Sequence, residues 1–178
     1  MKAQEFLDIL EKENIKEEQL SSLVVQALSD KGLKIATAES CTGGLISKMI
    51  TDVSGSSAVF DCGICSYANH IKHKLLGVKE DTLMTYGAVS DRVAMEMARG
   101  VRLLSKADIG ISTTGIAGPL GGSQYKPVGL VYIGVSTEKG LKAYRVQLAQ
   151  GKVPNRQRIR ELSSLCALYY ALSEIDEI

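Results

Sequence analysis

Residues 39–44 read Glu-Ser-Cys-Thr-Gly-Gly, and they stand where a short apolar run gives way to an amphipathic segment. A hydroxyl, a thiol, a second hydroxyl and two glycines at such a corner can do three things. Ser40 or Thr42 can cap the helix by accepting from its first N–H groups. The backbone N–H groups of Cys41, Thr42, Gly43 and Gly44 can cradle an anion or a developing oxyanion. Ser40 can also act as a nucleophile, provided a base stands beside it. A second loop, TTGIAGPLGGS at 113–123, adds the Thr114 hydroxyl, with Gly115, Gly118, Gly121 and Gly122 allowing close backbone approach. Neither loop carries the GxxxxGK[ST] of a P-loop or a GxGxxG dinucleotide fingerprint. On spacing alone, both loops also fit turns that need glycine beside a capped helix.

A serine nucleophile usually leans on histidine. This chain has two, His70 and His73, close together in one segment, and no GxSxG elbow surrounds Ser40. Lysine can replace histidine when desolvation lowers its pKa. Tyr67-Ala-Asn-His-Ile-Lys72 supplies a phenol and an amine just after the second apolar run. From its position alone, Lys72 fits a solvated helix lysine more often than a base. Cys62 and Cys65, followed by the two histidines, superficially resemble a zinc-ligand set. In a strand, however, positions i and i+3 face opposite sides, so the thiols are expected to be small hydrophobes. No metal or cofactor is expected.

The elements that must position these groups alternate. Residues 1–15 read as an extra N-terminal helix, and 17–30 as a second helix ended by Gly32. A strand at 33–38, a helix after the TGG turn and a strand at 57–68 with both faces largely buried follow. Two short helices precede a long one capped by Ser90. The DIGIS strand enters the second glycine loop, and two strands joined by TEKG form a hairpin. A last helix starts near Pro154-Asn155. This order predicts a three-layer α/β/α sandwich with a mixed, mostly parallel sheet, in one domain over 1–178. In open sheets of this kind ligands gather beyond the carboxyl ends of the strands, where both glycine loops fall.

Composition narrows the function classes. The chain has 178 residues, 45% apolar and 23% charged, with a formal net charge of +1. That balance gives no electrostatic reason to expect nucleic acid. No apolar run approaches a membrane-spanning length, and the charged start MKAQEFLDILEKENIK lacks a signal peptide's apolar core. A soluble, cytoplasmic protein is expected, with four cysteines that make no disulfide framework. Apolar patches on the first and last helices make a homo-oligomer the expected assembly.

Four motifs in order, AESCTGG, YANHIKHKLLGV, GAVS and TGIAGPLGGSQYKPVG, resemble the CinA C-terminal domain family, the nicotinamide-nucleotide amidases, over roughly residues 17–175. The resemblance implies hydrolysis of the carboxamide of nicotinamide mononucleotide to nicotinic acid mononucleotide and ammonia, without metal or cofactor. It implies Ser40 as nucleophile, with Tyr67 and Lys72 as its partners in proton transfer. The turn from Cys41 through Thr42, Gly43 and Gly44 would stabilise the oxyanion, and the loop from Thr114 and Gly115 through Gly118 to Gly122 would hold ribose and phosphate. The pyrophosphatase-like domain of longer CinA proteins is not in this sequence, which fits a stand-alone form. Where the family commonly reads GIAGPDGG, this chain has Leu120. Arg156 and Arg160 match a family-like RxxIR pattern, read either as a solvated face or as a substrate or subunit contact. The competing reading is a catalytically silent nucleotide-binding or regulatory module of the same fold.

Overall fold

A computed structural model of the chain describes residues 1–151 and 155–178. Pro154, expected at the start of the last helix, lies outside the described residues. Five strands form one sheet in the order β2-β1-β3-β4-β5. They are β1 (Ile35–Glu39), β2 (Phe60–Cys65), β3 (Ile109–Gly115), β4 (Leu130–Thr137) and β5 (Gly140–Gln147). β1 pairs in parallel with both β2 and β3, and β4 runs antiparallel to β3 and β5. Four of the five strands therefore point one way, and β4–β5 is the expected hairpin.

One face carries α1 (Ala3–Lys12), α2 (Leu20–Lys31), α3 (Leu45–Thr51) and α7 (Arg156–Glu177), packed through Leu28, Ile46 and Leu165 on Ile35, Ile109, Ile111 and Ile133. The other carries α4 (Asn69–Leu76), α5 (Glu80–Tyr86) and α6 (Asp91–Ser105). There Val93, Met97 and Val101 meet the small residues Ala36 and Ala38. The small side chains are required because α6 lies almost on the sheet backbone. A Cβ at Gly110 would come within 2.2 Å of the Ala98 carbonyl, and one at Gly134 within 2.3 Å of that of Ala94. The predicted three-layer α/β/α sandwich with a mixed, mostly parallel sheet is the observed one.

Two expectations change. β2 is shorter than predicted, because residues 56–58 form a 3-10 turn, and it is not buried on both faces. Among the described residues it is an edge strand paired with β1 alone, so Asp61, Gly63 and Cys65 reach solvent while Cys62 and Ile64 pack toward α4 and α6. Second, α1 is no appendage. Phe6 is fully buried, its ring edge-on to Tyr169 of α7 with centroids 5.8 Å apart. The apolar faces of the first and last helices thus cover each other within the chain. No helix among the described residues is long and apolar enough to cross a membrane.

Candidate active site

Parallel strands that end together place their next residues side by side. The Ser40 N–H donates to the Thr113 carbonyl (3.0 Å), and the Ser66 N–H donates to the Glu39 carbonyl (2.8 Å). Ser40 and Ser66 therefore continue β1 and β2 as neighbours at the carboxyl edge of the sheet. From there α4 brings Lys72 back beneath them, 1% exposed. Its Nζ lies 3.0 Å from Ser40 Oγ, 2.7 Å from the Ser66 carbonyl and 3.1 Å from the Tyr67 carbonyl. No carboxylate pairs with it among the described residues, and burial pushes the amine down to about 8. The neighbouring Cys41 thiol opposes this weakly, since its own burial pushes it up to about 12 and keeps it neutral. A neutral Lys72 has two N–H groups and one lone pair. The two carbonyls take the N–H groups, which turns the lone pair toward the Ser40 hydroxyl.

The helix cap is not the expected one. Glu39, fully buried, accepts from the N–H groups of Gly44 (2.9 Å) and Ile46 (3.1 Å) through Oε2. Through Oε1 it accepts from the N–H (2.9 Å) and hydroxyl (2.7 Å) of Ser47. A carboxylate thus closes the N-terminus of α3, where neither Ser40 nor Thr42 does. The signal was available in the sequence. A glutamate inside an apolar strand must find donors when it is buried, and an adjacent helix start supplies them.

This arrangement redistributes the roles expected of the turn. The Gly44 N–H is engaged by Glu39 and unavailable to an oxyanion. Thr42 points inward, its hydroxyl 2.7 Å from that of Thr113, while its carbonyl accepts from Arg160 Nε (3.2 Å) and Nη2 (2.6 Å). Gly43 and Gly44 supply positive φ values of 61° and 92°. Thr42, Gly43 and Gly44 therefore build the turn, and Cys41 is the residue after Ser40 that lines the cleft. Among the described residues the Cys41 N–H donates to no other residue.

The cleft encloses about 250 Å³ between Ser40, Lys72, Tyr67, Thr114, Gly118 and Arg156. Thr114 donates its hydroxyl to the Ala88 carbonyl (2.7 Å), tying β3 to the segment before α6. Gly115 also lines the cleft, and a Cβ there would meet Val131 at 2.6 Å. Gly122 folds against Val128 and shapes the loop rather than the cleft wall. Lys126 Nζ straps the same loop to the carbonyls of Tyr86 (2.7 Å) and Val89 (2.8 Å). Leu120 stands at the rim, 86% exposed. The Tyr67 phenol is also exposed and accepts from Arg156 Nη2 (3.3 Å), while Arg156 Nη1 donates to the Gly118 carbonyl (2.7 Å). Among the described residues no hydrogen bond joins that phenol to Ser40 or Lys72, so it is the Tyr67 carbonyl that meets the amine. Cys62 and Cys65 face opposite sides of β2, and His73 Nδ1 contacts the Val78 carbonyl (2.8 Å).

The CinA C-terminal domain profile matches residues 17–175. The chain belongs to the CinA C-terminal domain family. It is 50% identical over 153 residues to a Caldanaerobacter subterraneus protein carrying the competence-damage inducible name, covering 86% of this chain and 36% of that protein. It is 47% identical over 152 residues to a CinA-like protein of Kosmotoga olearia, covering 85% of this chain and 36% of that one. The chain thus spans about a third of the length of these curated relatives. Among solved CinA-family structures, the competence/damage inducible protein CihA from Agrobacterium tumefaciens superposes with a TM-score of 0.84 at 40% identity, covering 90% of this chain and 95% of that one. A CinA superfamily protein from Klebsiella pneumoniae superposes at 0.85 with 27% identity, covering 92% and 99%.

Proposed function

We propose that this CinA-family chain is a nicotinamide-nucleotide amidase, hydrolysing the carboxamide of nicotinamide mononucleotide to nicotinic acid mononucleotide and ammonia. The observation that carries this reading is the buried Lys72 amine, 3.0 Å from Ser40 Oγ and without a carboxylate partner among the described residues. Burial lowers the pKa of a lysine so placed, and its neutral form beside a serine hydroxyl is a general base.

In the proposed reaction Lys72 takes the Ser40 proton as Oγ bonds to the amide carbon. The Cys41 N–H stabilises the oxyanion. The C–N bond then breaks, and the Lys72 ammonium returns its proton to the departing amine, releasing ammonia. Water gives a proton to Lys72 as it attacks the acyl ester, and Ser40 recovers its hydrogen. Thr114, Gly118 and the Arg156 guanidinium, on the cleft wall, hold ribose and phosphate. The Tyr67 phenol, held by Arg156, stands over the mouth.

An ammonia assay across nicotinamide mononucleotide, nicotinamide riboside and free nicotinamide tests the reading. Release is expected chiefly from the mononucleotide, and Ser40→Ala abolishes it. Tight mononucleotide binding with no ammonia from the wild-type protein would leave the silent nucleotide-binding module instead.

A further inference from the structure

Ser66 is fully buried, yet its hydroxyl has no hydrogen-bond partner among the described residues. A hydroxyl taken out of water without a partner is destabilising, so such a group calls for an explanation in what the protein does. Its position supplies one. The backbone of Ser66 is fixed on both sides, its N–H on the Glu39 carbonyl (2.8 Å) and its carbonyl on Lys72 Nζ (2.7 Å). Ser66 is also the neighbour of Ser40 at the strand ends. The hydroxyl therefore belongs to the residue that already grips the base, and it turns about a single Cα–Cβ bond.

We infer that Ser66 is a positioning residue for Lys72: its hydroxyl accepts the third N–H of the lysine ammonium as Ser40 Oγ bonds to the carbon it attacks. This rests on the serine–lysine reading above. Lys72 gains a proton when Ser40 Oγ bonds to the acyl carbon, and the ammonium then has three N–H groups. The Ser66 and Tyr67 carbonyls take two. The third was directed at Ser40 Oγ, which is now bonded to the tetrahedral carbon and is a poor acceptor. Ser66 Oγ takes it over, holding the ammonium beside the leaving amine until the proton is passed on. No atom is gained or lost at Ser66. Its hydroxyl idles while Ser40 Oγ meets the amine, and is partnered once that oxygen is bonded to the attacked carbon.

This role has a signature that a structural hydroxyl lacks. Ser66→Ala removes a buried polar group without a partner, so its melting temperature should equal or exceed the wild type's. The same variant should lose about tenfold in the rate at which Lys72 activates Ser40, the size expected for one hydrogen bond to a charged group. A fluorophosphonate, which labels an activated serine whatever the natural substrate, reads that rate by intact mass. Ammonia release from nicotinamide mononucleotide, followed in parallel, judges the substrate assignment separately. Ser66→Thr, which keeps a hydroxyl, should recover labelling. Unchanged labelling in Ser66→Ala overturns the inference, as does a fall in labelling matched by a fall in melting temperature. A folded Ser66→Thr that fails to recover does the same. If the wild-type Ser40 is not labelled at all, the serine–lysine reading and the role of Ser66 fall together. Labelling without ammonia from the mononucleotide sinks the substrate alone.

Discussion

At the scale of single residues, the site turns on the protonation of one amine. With Lys72 pushed down to about 8, roughly a tenth of the molecules carry it neutral at pH 7. For the proposed amidase, kcat/KM should rise with pH through about 8 and then level off; a rate flat from pH 6 to 9 would remove Lys72 as the base. Lys72→Arg keeps the charge but cannot deprotonate, so it should lose about 10²- to 10⁴-fold, much as Lys72→Ala does. The same shift predicts a stability effect. Below pH 8 the lysine is charged in both states and the fold bears its burial. Between about 8 and its ordinary 10.5 the folded protein has released the proton and the unfolded chain has not, so stability rises with pH there and is level above. Relative to Lys72→Met, the wild type should gain at most about 3 kcal/mol across that window, read from denaturation midpoints. Cys41 offers a contrast. Its thiol is held high by burial, so Cys41→Ala should keep substantial turnover, and a dead Cys41→Ala beside an active Ser40→Ala would reverse the nucleophile assignment.

At the scale of elements, Glu39 decides where Ser40 stands. It ends β1, precedes the serine and closes α3 with four accepted hydrogen bonds. Glu39→Gln keeps the size but turns an amide NH₂ toward backbone donors. It should cost about 2–4 kcal/mol and displace the 40–44 turn, so turnover falls with stability. Chemical denaturation and an ammonia assay on the same sample check this, and an unchanged midpoint would mean the cap contributes little. The contrast between Glu39 and Ser40 also shows what a sequence can reveal. Alternating apolar runs and glycine turns fix the order of strands and helices locally, so the sandwich, the hairpin and the position of SCTGG could be read directly. Lys72 stood out through the family resemblance of its motif, since its place after a strand fits a solvated helix lysine as well. Glu39 was signalled only by a carboxylate at a strand end beside a helix start, and Ser66 by nothing local, because whether a buried hydroxyl has partners depends on tertiary neighbours. The second buried face assigned to β2 failed for a related reason. Apolar content does not say whether a strand has one neighbour or two, and among the described residues β2 has one.

At the scale of the molecule, the N-terminal residues and α7 act together on the cleft. α7 reaches it through Arg156 on Gly118 and Arg160 on Thr42, and its own position depends on what packs behind it. Arg158 holds Glu17 through two bonds of 2.8 Å, and that guanidinium lowers the Glu17 pKa. Met1 accepts from the Gln147 N–H (2.9 Å), which secures the chain start along β5. Between these ties, Phe6 fills the space beneath Tyr169 and is fully buried. Phe6→Ala leaves a cavity that a helix pinned at both ends cannot collapse. It should therefore cost about 3–5 kcal/mol in denaturant. Because Phe6 packs on Tyr169, well along α7 from Arg156, kcat for ammonia release should stay within about twofold at temperatures where the variant is folded, consistent with independence of distant sites. A cost below about 1 kcal/mol would mean that α1 is an appendage after all. A large loss of kcat in the folded variant would instead show that α7 transmits the packing of α1 to Arg156 and Arg160.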